Sequence, residues 1–310
     1  MNILNVCLVS RDRTILTTKC IESIHQNSKN FNKINIYLFD NLSINIKERS
    51  NKFFDLLEKE KIVFYSYDTK ISSSDCFPKA IAFRRFIEMM KLDAEIKNLK
   101  KGIDKKETTD IYYCLIDNDM ILTEKWDEYF LSSIKFVKEH KTYKNSINYI
   151  VKHPGGVLSR NVKETINIQN IVNIKDTSKI SLNFSFYGGS SGFWFMDYEM
   201  LLKNFWPSEY FDRVRGRYKR HDSTTWIKLK EKTKECFVVS VTPSRENPLV
   251  MHMGGIFGSM CIPLDFNNGK GELNYKSKIS EMTNNEQILD KMSVSDIINM
   301  YKNDSKVLMW

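Results

Sequence analysis

The first 67 residues alternate apolar runs of strand length with stretches patterned as helices, and that alternation commits the chain to a layered α/β fold. Residues 3–10 form a strand-like run, and 14–26 place Ile15, Leu16, Cys20 and Ile24 at helical spacing. A second strand at 34–39 ends in Asp40-Asn41, a helix is expected over 49–60, and a third strand over 62–67. Strands alternating with helices pair in parallel, each helix crossing back over the sheet. Ligands of such sheets bind beyond the carboxyl ends of the strands. Ser10, Arg11, Asp40, Asn41 and Asp68 all fall there.

A later apolar run, YYCLIDNDMIL at 112–122, holds two aspartates one residue apart. On a strand, side chains two apart share a face, so Asp117 and Asp119 are expected on the same side. Two adjacent carboxylates repel unless a proton or a cation lies between them. Mg²⁺ or Mn²⁺ takes carboxylate oxygens together with substrate phosphates, which makes this pair a candidate metal site. A polar turn at a strand end is the plainer alternative.

At 310 residues, the chain suits one large α/β domain with an appendage, or two small domains. A hydrophobic content of 42% and a charged content of 27% are those of a globular protein, and no apolar run reaches the length of a membrane span. The start, MNILNVCLVSR, lacks a basic region before its apolar residues, so it is expected to be a strand and the protein cytoplasmic. Six cysteines without a C-x-x-C pair read as reduced core residues. A formal charge of +9 favours anionic partners: nucleotide phosphates, nucleic acid or an anionic membrane surface. No zinc-knuckle or RNP-like string supports nucleic acid, whereas peripheral membrane association stays open.

Further along, a helix is expected over 78–90, carrying Arg84 and Arg85, and an exposed mixed-charge extension over 91–107. Residues 124–140 place Trp126, Phe130, Ile134 and Val137 on one helical stripe suited to core packing. Residues 184–196, FSFYGGSSGFWFM, set glycines between aromatic strands, so the Gly188-to-Gly192 loop could admit a ligand close to the backbone or serve as a plain turn. Basic residues 213–220 lead into His221-Asp222, where Asp222 precedes a helix and could simply cap it. A strand is expected at 236–241, and His252 ends another before paired glycines. A lone histidine is a ligand only if the fold carries it to the aspartates.

In this order the pieces resemble the nucleotide-sugar-dependent glycosyltransferases of GT-A fold, the large family-2-like group in particular. The resemblance covers about residues 3–257. It rests on the first strand with Ser10-Arg-Asp-Arg13 and a helix containing CIESI, a second strand ending FDNLS, the strand LIDND, a glycine-containing aromatic strand followed by a helix, HDSTTW opening a helix, and VMHMGG. It implies a mostly parallel sheet flanked by helices, with a catalytic domain over 1–262 and a C-terminal helical extension over 263–310. The nucleotide-sugar half would be about 1–123 and the acceptor half about 124–262.

By the same resemblance, Ser10, Arg13 and Asp40 line the base and ribose of the nucleotide. Asp117 holds ribose or metal-bound water, Asp119 binds Mn²⁺ or Mg²⁺, and His252 is a further contact to that metal. Asp222 matches the second member of an acidic pair beside the acceptor, the general base of inverting members, although His221 stands where the first acid is expected. The implied donor is a nucleotide-diphosphate sugar, a UDP-sugar foremost. The acceptor is open among a glycan, a lipid-linked sugar and a protein.

Other classes fit parts of this pattern. A sugar nucleotidyltransferase carries a glycine-rich phosphate loop after its first strand, and LVSRDRT has no glycine. A retaining transferase needs no acceptor-side base, and a nucleotide-binding protein needs no chemistry at all. The segment 263–310, with helical patches at 286–292 and 295–302, could pack on the domain, help bind acceptor or mediate oligomerisation.

Overall fold

The structure, a computed structural model, describes residues 1–10, 13–41, 51–67, 78–101, 110–139, 149–152, 162–167, 181–185, 192–198, 201, 237–242, 249–253, 287–304 and 308–309. The opening alternation is present as β1 (Asn2–Ser10), α1 (Thr14–Asn27), β2 (Lys33–Asn41), α2 (Asn51–Lys59) and β3 (Val63–Tyr67). After α3 (Pro78–Lys101) come β4 (Asp110–Asp117), β5 (Met120–Leu122) and α4 (Trp126–Glu139). The strands β6 (Tyr149–Lys152), β7 (Val162–Asn167), β8 (Ser181–Ser185), β9 (Phe193–Asp197), β10 (Phe237–Thr242) and β11 (Val250–His252) follow, then α5 (Val294–Tyr301) and β12 (Leu308–Met309).

Among the described residues, nine strands form one sheet in the order β3-β2-β1-β4-β9-β6-β10-β8-β7, flanked by helices as expected. Its first four strands are parallel, and β9 enters antiparallel between β4 and β6. Beyond, β6 and β10 pair in parallel and β8 and β7 antiparallel. The register sets Ser10 beside Asp40 and Val9 beside Asp117, so the ends of β1, β2 and β4 lie along one edge.

Strand alternation divides the core between the two faces of the sheet. Val6, Leu8, Leu38, Cys114, Ile116, Phe193 and Phe195 face one side, where they pack with Cys20, Ile21, Ile24, Phe53, Leu57, Trp126 and Phe130 of α1, α2 and α4. The intervening Cys7, Phe39, Tyr113, Leu115, Trp194 and Met196 face the other side, against Phe83, Phe86, Ile87 and Met90 of α3. The stripe Trp126, Phe130, Ile134 and Val137 is buried throughout.

Two local features differ from the sequence expectation. Helix α3 runs on to Lys101, through residues read as an extension. Leu, Ala, Glu and Lys are strong helix formers, and Met90 and Ala94 bury one face. The run 112–122 is also broken: β4 stops at Asp117, Asn118 and Asp119 form a turn, and β5 begins at Met120. Asn and Asp favour turns through local hydrogen bonding. Strand alternation therefore does not set where the Asp119 carboxylate points.

A second sheet, β12-β11-β5, lies beside this turn. It carries a third apolar cluster in which Leu16 and Ile121 meet Met251, Met253, Leu289, Val294, Ile297 and Tyr301. Helix α5 starts with a capping box, the Ser293 hydroxyl accepting from the Asp296 amide while the Asp296 carboxylate accepts from that of Ser293. The described part of the C-terminal segment thus packs back on the domain. No helix among the described residues is long and apolar enough to cross a membrane.

Candidate functional site

The turn after β4 gathers side chains from three distant parts of the chain. Arg13 Nη1 donates to Asp119 Oδ2 at 3.2 Å, and His252 Nε2 lies 3.3 Å from the same oxygen. Histidine arrives because β11 runs antiparallel to β5 and pairs His252 with Met120, the residue after Asp119. The Met253 amide donates to the Asp119 carbonyl at 2.8 Å, locking strand end to turn.

Arg13 is delivered by the start of α1. It holds the N-cap position, yet its side chain makes no cap. A guanidinium has no acceptor to offer the free amides of a first turn. Serine or aspartate there would stabilise the helix by about 0.5–2 kcal/mol over a non-capping residue, and this helix forgoes that gain. Instead the guanidinium is buried against Asp119, with 2% and 11% of the two side chains exposed. Thr17, one turn on, donates its hydroxyl to the Arg13 carbonyl at 2.6 Å and accepts from Asn118 Nδ2 at 3.0 Å. One threonine thus ties the arginine to the aspartate turn.

Asp117 is half-buried at the end of β4. Its amide donates to the Gly192 carbonyl at 2.9 Å, and its carbonyl accepts from Cys20 Sγ at 3.8 Å. Burial first, then the charges of Asp119 and Asp117, push the Cys20 thiol well above its ordinary range. Cys20 therefore stays protonated and serves as a donor beneath the carboxylates.

Ser10 Oγ donates to Asp40 Oδ1 at 3.0 Å where β1 and β2 end side by side. Asp40 is fully buried.

The donor set is of the kind a small divalent cation accepts: a carboxylate oxygen and an imidazole nitrogen. Two ligands of one octahedral ion, each about 2.1 Å from it, lie roughly 3 Å apart along an edge, close to the 3.3 Å between Asp119 Oδ2 and His252 Nε2. Among the described residues no group of three or more His, Cys, Asp or Glu side chains could hold a metal. Mg²⁺ at phosphate-handling sites keeps several waters and takes substrate oxygens beside one or two protein ligands.

The structure thus joins Arg13, Asp119 and His252 in one cluster and Ser10 with Asp40 in another, with Asp117 at the intervening strand end. Arg11, Asp68, His221, Asp222, the basic residues 213–220 and the loop from Gly188 to residue 191 lie outside the described residues. Sequence reading did not single out Thr17, Asn118 or Cys20 as supports of the site. A threonine four residues after Arg13 was the available hint, since threonine hydroxyls bond the carbonyl four residues back in a helix.

No protein-family model and no curated protein matches this chain. Solved structures do resemble it. One is S. aureus TarS, residues 1–349, at 12% identity and a TM-score of 0.43, with 78% of this chain and 60% of that one covered. The same TarS portion in complex with UDP-GlcNAc gives 15% identity and a TM-score of 0.41, covering 97% of this chain and 76% of that one. Galactosyltransferase LgtC, in complex with donor and acceptor sugar analogs, gives 8% identity and a TM-score of 0.35, covering 74% and 70%. The chain spans about 60% of the length of the first of these structures. Overlap this loose carries no function with it, which has to be read from the side chains.

Proposed function

We propose that this protein is a glycosyltransferase that moves a sugar from a nucleotide-diphosphate sugar, a UDP-sugar foremost, onto an acceptor hydroxyl. The observation that carries the reading is the meeting of Arg13 and His252 on one oxygen of Asp119, at the strand-end edge that also holds Ser10 and Asp40. A parallel α/β sheet offers its ligand crevice at this edge.

In the proposed transfer, the bond from the anomeric carbon to the diphosphate breaks, a bond to the acceptor oxygen forms, and the acceptor proton passes to a base. Asp119 and His252 would hold Mn²⁺ or Mg²⁺, with Asp117 holding ribose or bound water at the strand end. A bound divalent ion supplies charge neutralisation to the departing diphosphate. Ser10 and Asp40 form the base-and-ribose side with Arg13, whose guanidinium on Asp119 would also bring positive charge toward the phosphates. Asp222 is the proposed base of an inverting transfer.

The test is a screen of nucleotide sugars for release of nucleoside diphosphate, with Mn²⁺ and with excess chelator. Cation-dependent release from one donor supports the reading. No release from any donor, with nucleotide still bound, would leave a binding protein.

A further inference from the structure

Arg13 and His252 converge on the same carboxylate oxygen. Both Arg13 Nη1 and His252 Nε2 approach Oδ2 of Asp119, at 3.2 and 3.3 Å. A divalent ion ligated by Asp119 and His252 would sit on an oxygen that already holds a buried guanidinium. Like charges so close in a poorly solvated place repel strongly. The guanidinium is no loosely swinging surface group: Arg13 is 3% exposed, and Thr17 bonds both the Arg13 carbonyl and Asn118 of the aspartate turn. It also stands at an N-cap without capping, so helix stability does not account for an arginine there.

We propose that Arg13 is a built-in rival of the divalent cation for Asp119. It holds the carboxylate and weakens binding of the bare ion. Entry of the cation is thereby tied to arrival of an anionic ligand, because a diphosphate offers the guanidinium other oxygens in bidentate geometry. Cation and nucleotide diphosphate then bind as a pair, and the bare ion binds poorly. The inference rests on the proposed cation site and adds an order of binding to it.

The experiment measures Mn²⁺ affinity of the full chain by electron paramagnetic resonance of the free ion, without nucleotide and then with UDP. Removing the guanidinium charge in Arg13→Met or Arg13→Gln should tighten Mn²⁺ binding without nucleotide about tenfold, the size of effect a neighbouring charge has on a carboxylate. The enhancement of Mn²⁺ affinity by UDP should shrink by a similar factor. The Gln variant keeps a hydrogen bond to Asp119 and covers the case in which Met at this buried position fails to fold. Arg13→Lys, which keeps the charge, should stay near the wild type.

Equal or weaker Mn²⁺ binding by a folded Arg13→Gln protein, beside a wild type that binds, would overturn the rivalry and leave the cation site standing. A Lys variant that gains as much affinity as the Gln variant would overturn it too. If no form binds Mn²⁺ even with UDP bound, the cation reading fails and the rivalry with it.

Discussion

His252 and Asp119 are 133 positions apart in the chain, yet Nε2 of one lies 3.3 Å from Oδ2 of the other. The pairing of β11 with β5 produces that approach. In the proposed role, the histidine would bind a cation through its neutral imidazole. His252→Ala should therefore raise the Mn²⁺ concentration for half-maximal turnover by roughly tenfold or more, and Asp119→Ala should abolish turnover, as excess chelator should. A Mn²⁺ titration of His252→Ala identical to the wild type would reduce the histidine to a strand-end residue.

Asp40 makes a separate prediction. Its carboxylate is fully buried and accepts from Ser10 at 3.0 Å. In the proposed role, Asp40→Asn should weaken UDP binding at least about tenfold, measured by calorimetry, since hydrogen bonds to a charged partner contribute about 1.5–3 kcal/mol. If the folded variant bound UDP as the wild type does, Asp40 would only join the ends of β1 and β2.

The C-terminal segment should matter to the site as well as to the fold. Ile297 is fully buried in the cluster that includes Met251 and Met253, the two neighbours of His252. Ile297→Ala should cost about 2–5 kcal/mol of stability. Because His252 is aimed by the strand this cluster supports, the variant should also need more Mn²⁺ for turnover at a temperature where it remains folded. Lost stability with an unchanged Mn²⁺ requirement would show that the segment supports the fold alone.

The layered fold was legible because period-2 and helical patterns in residues 3–67 agree with one another and with the turn signals between them. The approach of His252 to Asp119 was legible only through resemblance, since no local pattern tells which strand pairs with β5. The partner of Arg13 was not legible. Its place at an N-cap suggests a surface, and its burial follows from the turn at Asn118-Asp119, which interrupts what reads as one strand. Once that turn forms, the Asp119 carboxylate is positioned by Arg13, His252 and the Asn118–Thr17 bond, all long-range contacts.

His25 gives a pH dependence with a definite sign. Its Nδ1 lies 3.6 Å from Glu60 Oε2, and its Nε2 is buried without a hydrogen-bond partner among the described residues. Burial lowers its pKa, Glu60 opposes this and Lys59 assists it. Because the folded pKa lies below the unfolded value of about 6.5, the unfolded chain binds the proton first. Stability from this group is present above that pH and is lost as pH falls from it toward the folded pKa. Thermal melts between pH 8 and 5 should therefore fall less steeply for His25→Gln than for the wild type. Parallel curves would remove His25 from the acid response.

The proposed general base is the sharpest remaining test. An acceptor hydroxyl is a poor nucleophile until it loses its proton during attack, and a carboxylate within reach contributes on the order of 10²–10⁴ in rate. Asp222 also precedes a stretch patterned as a helix, where it could act only as a cap. Asp222→Asn separates the two roles, because asparagine caps a helix about as well as aspartate but cannot accept the proton. The variant should keep its melting temperature and its UDP affinity, lose about 10²-fold or more in single-turnover rate, and the wild-type product should have inverted anomeric configuration. His221 provides the control, since a histidine beside the carboxylate could take the proton itself. Should His221→Ala be the more damaging change, the base is the histidine. Near-normal transfer by Asp222→Asn, or a product of retained configuration, would take Asp222 out of the chemistry and favour a retaining transfer at the same edge of the sheet.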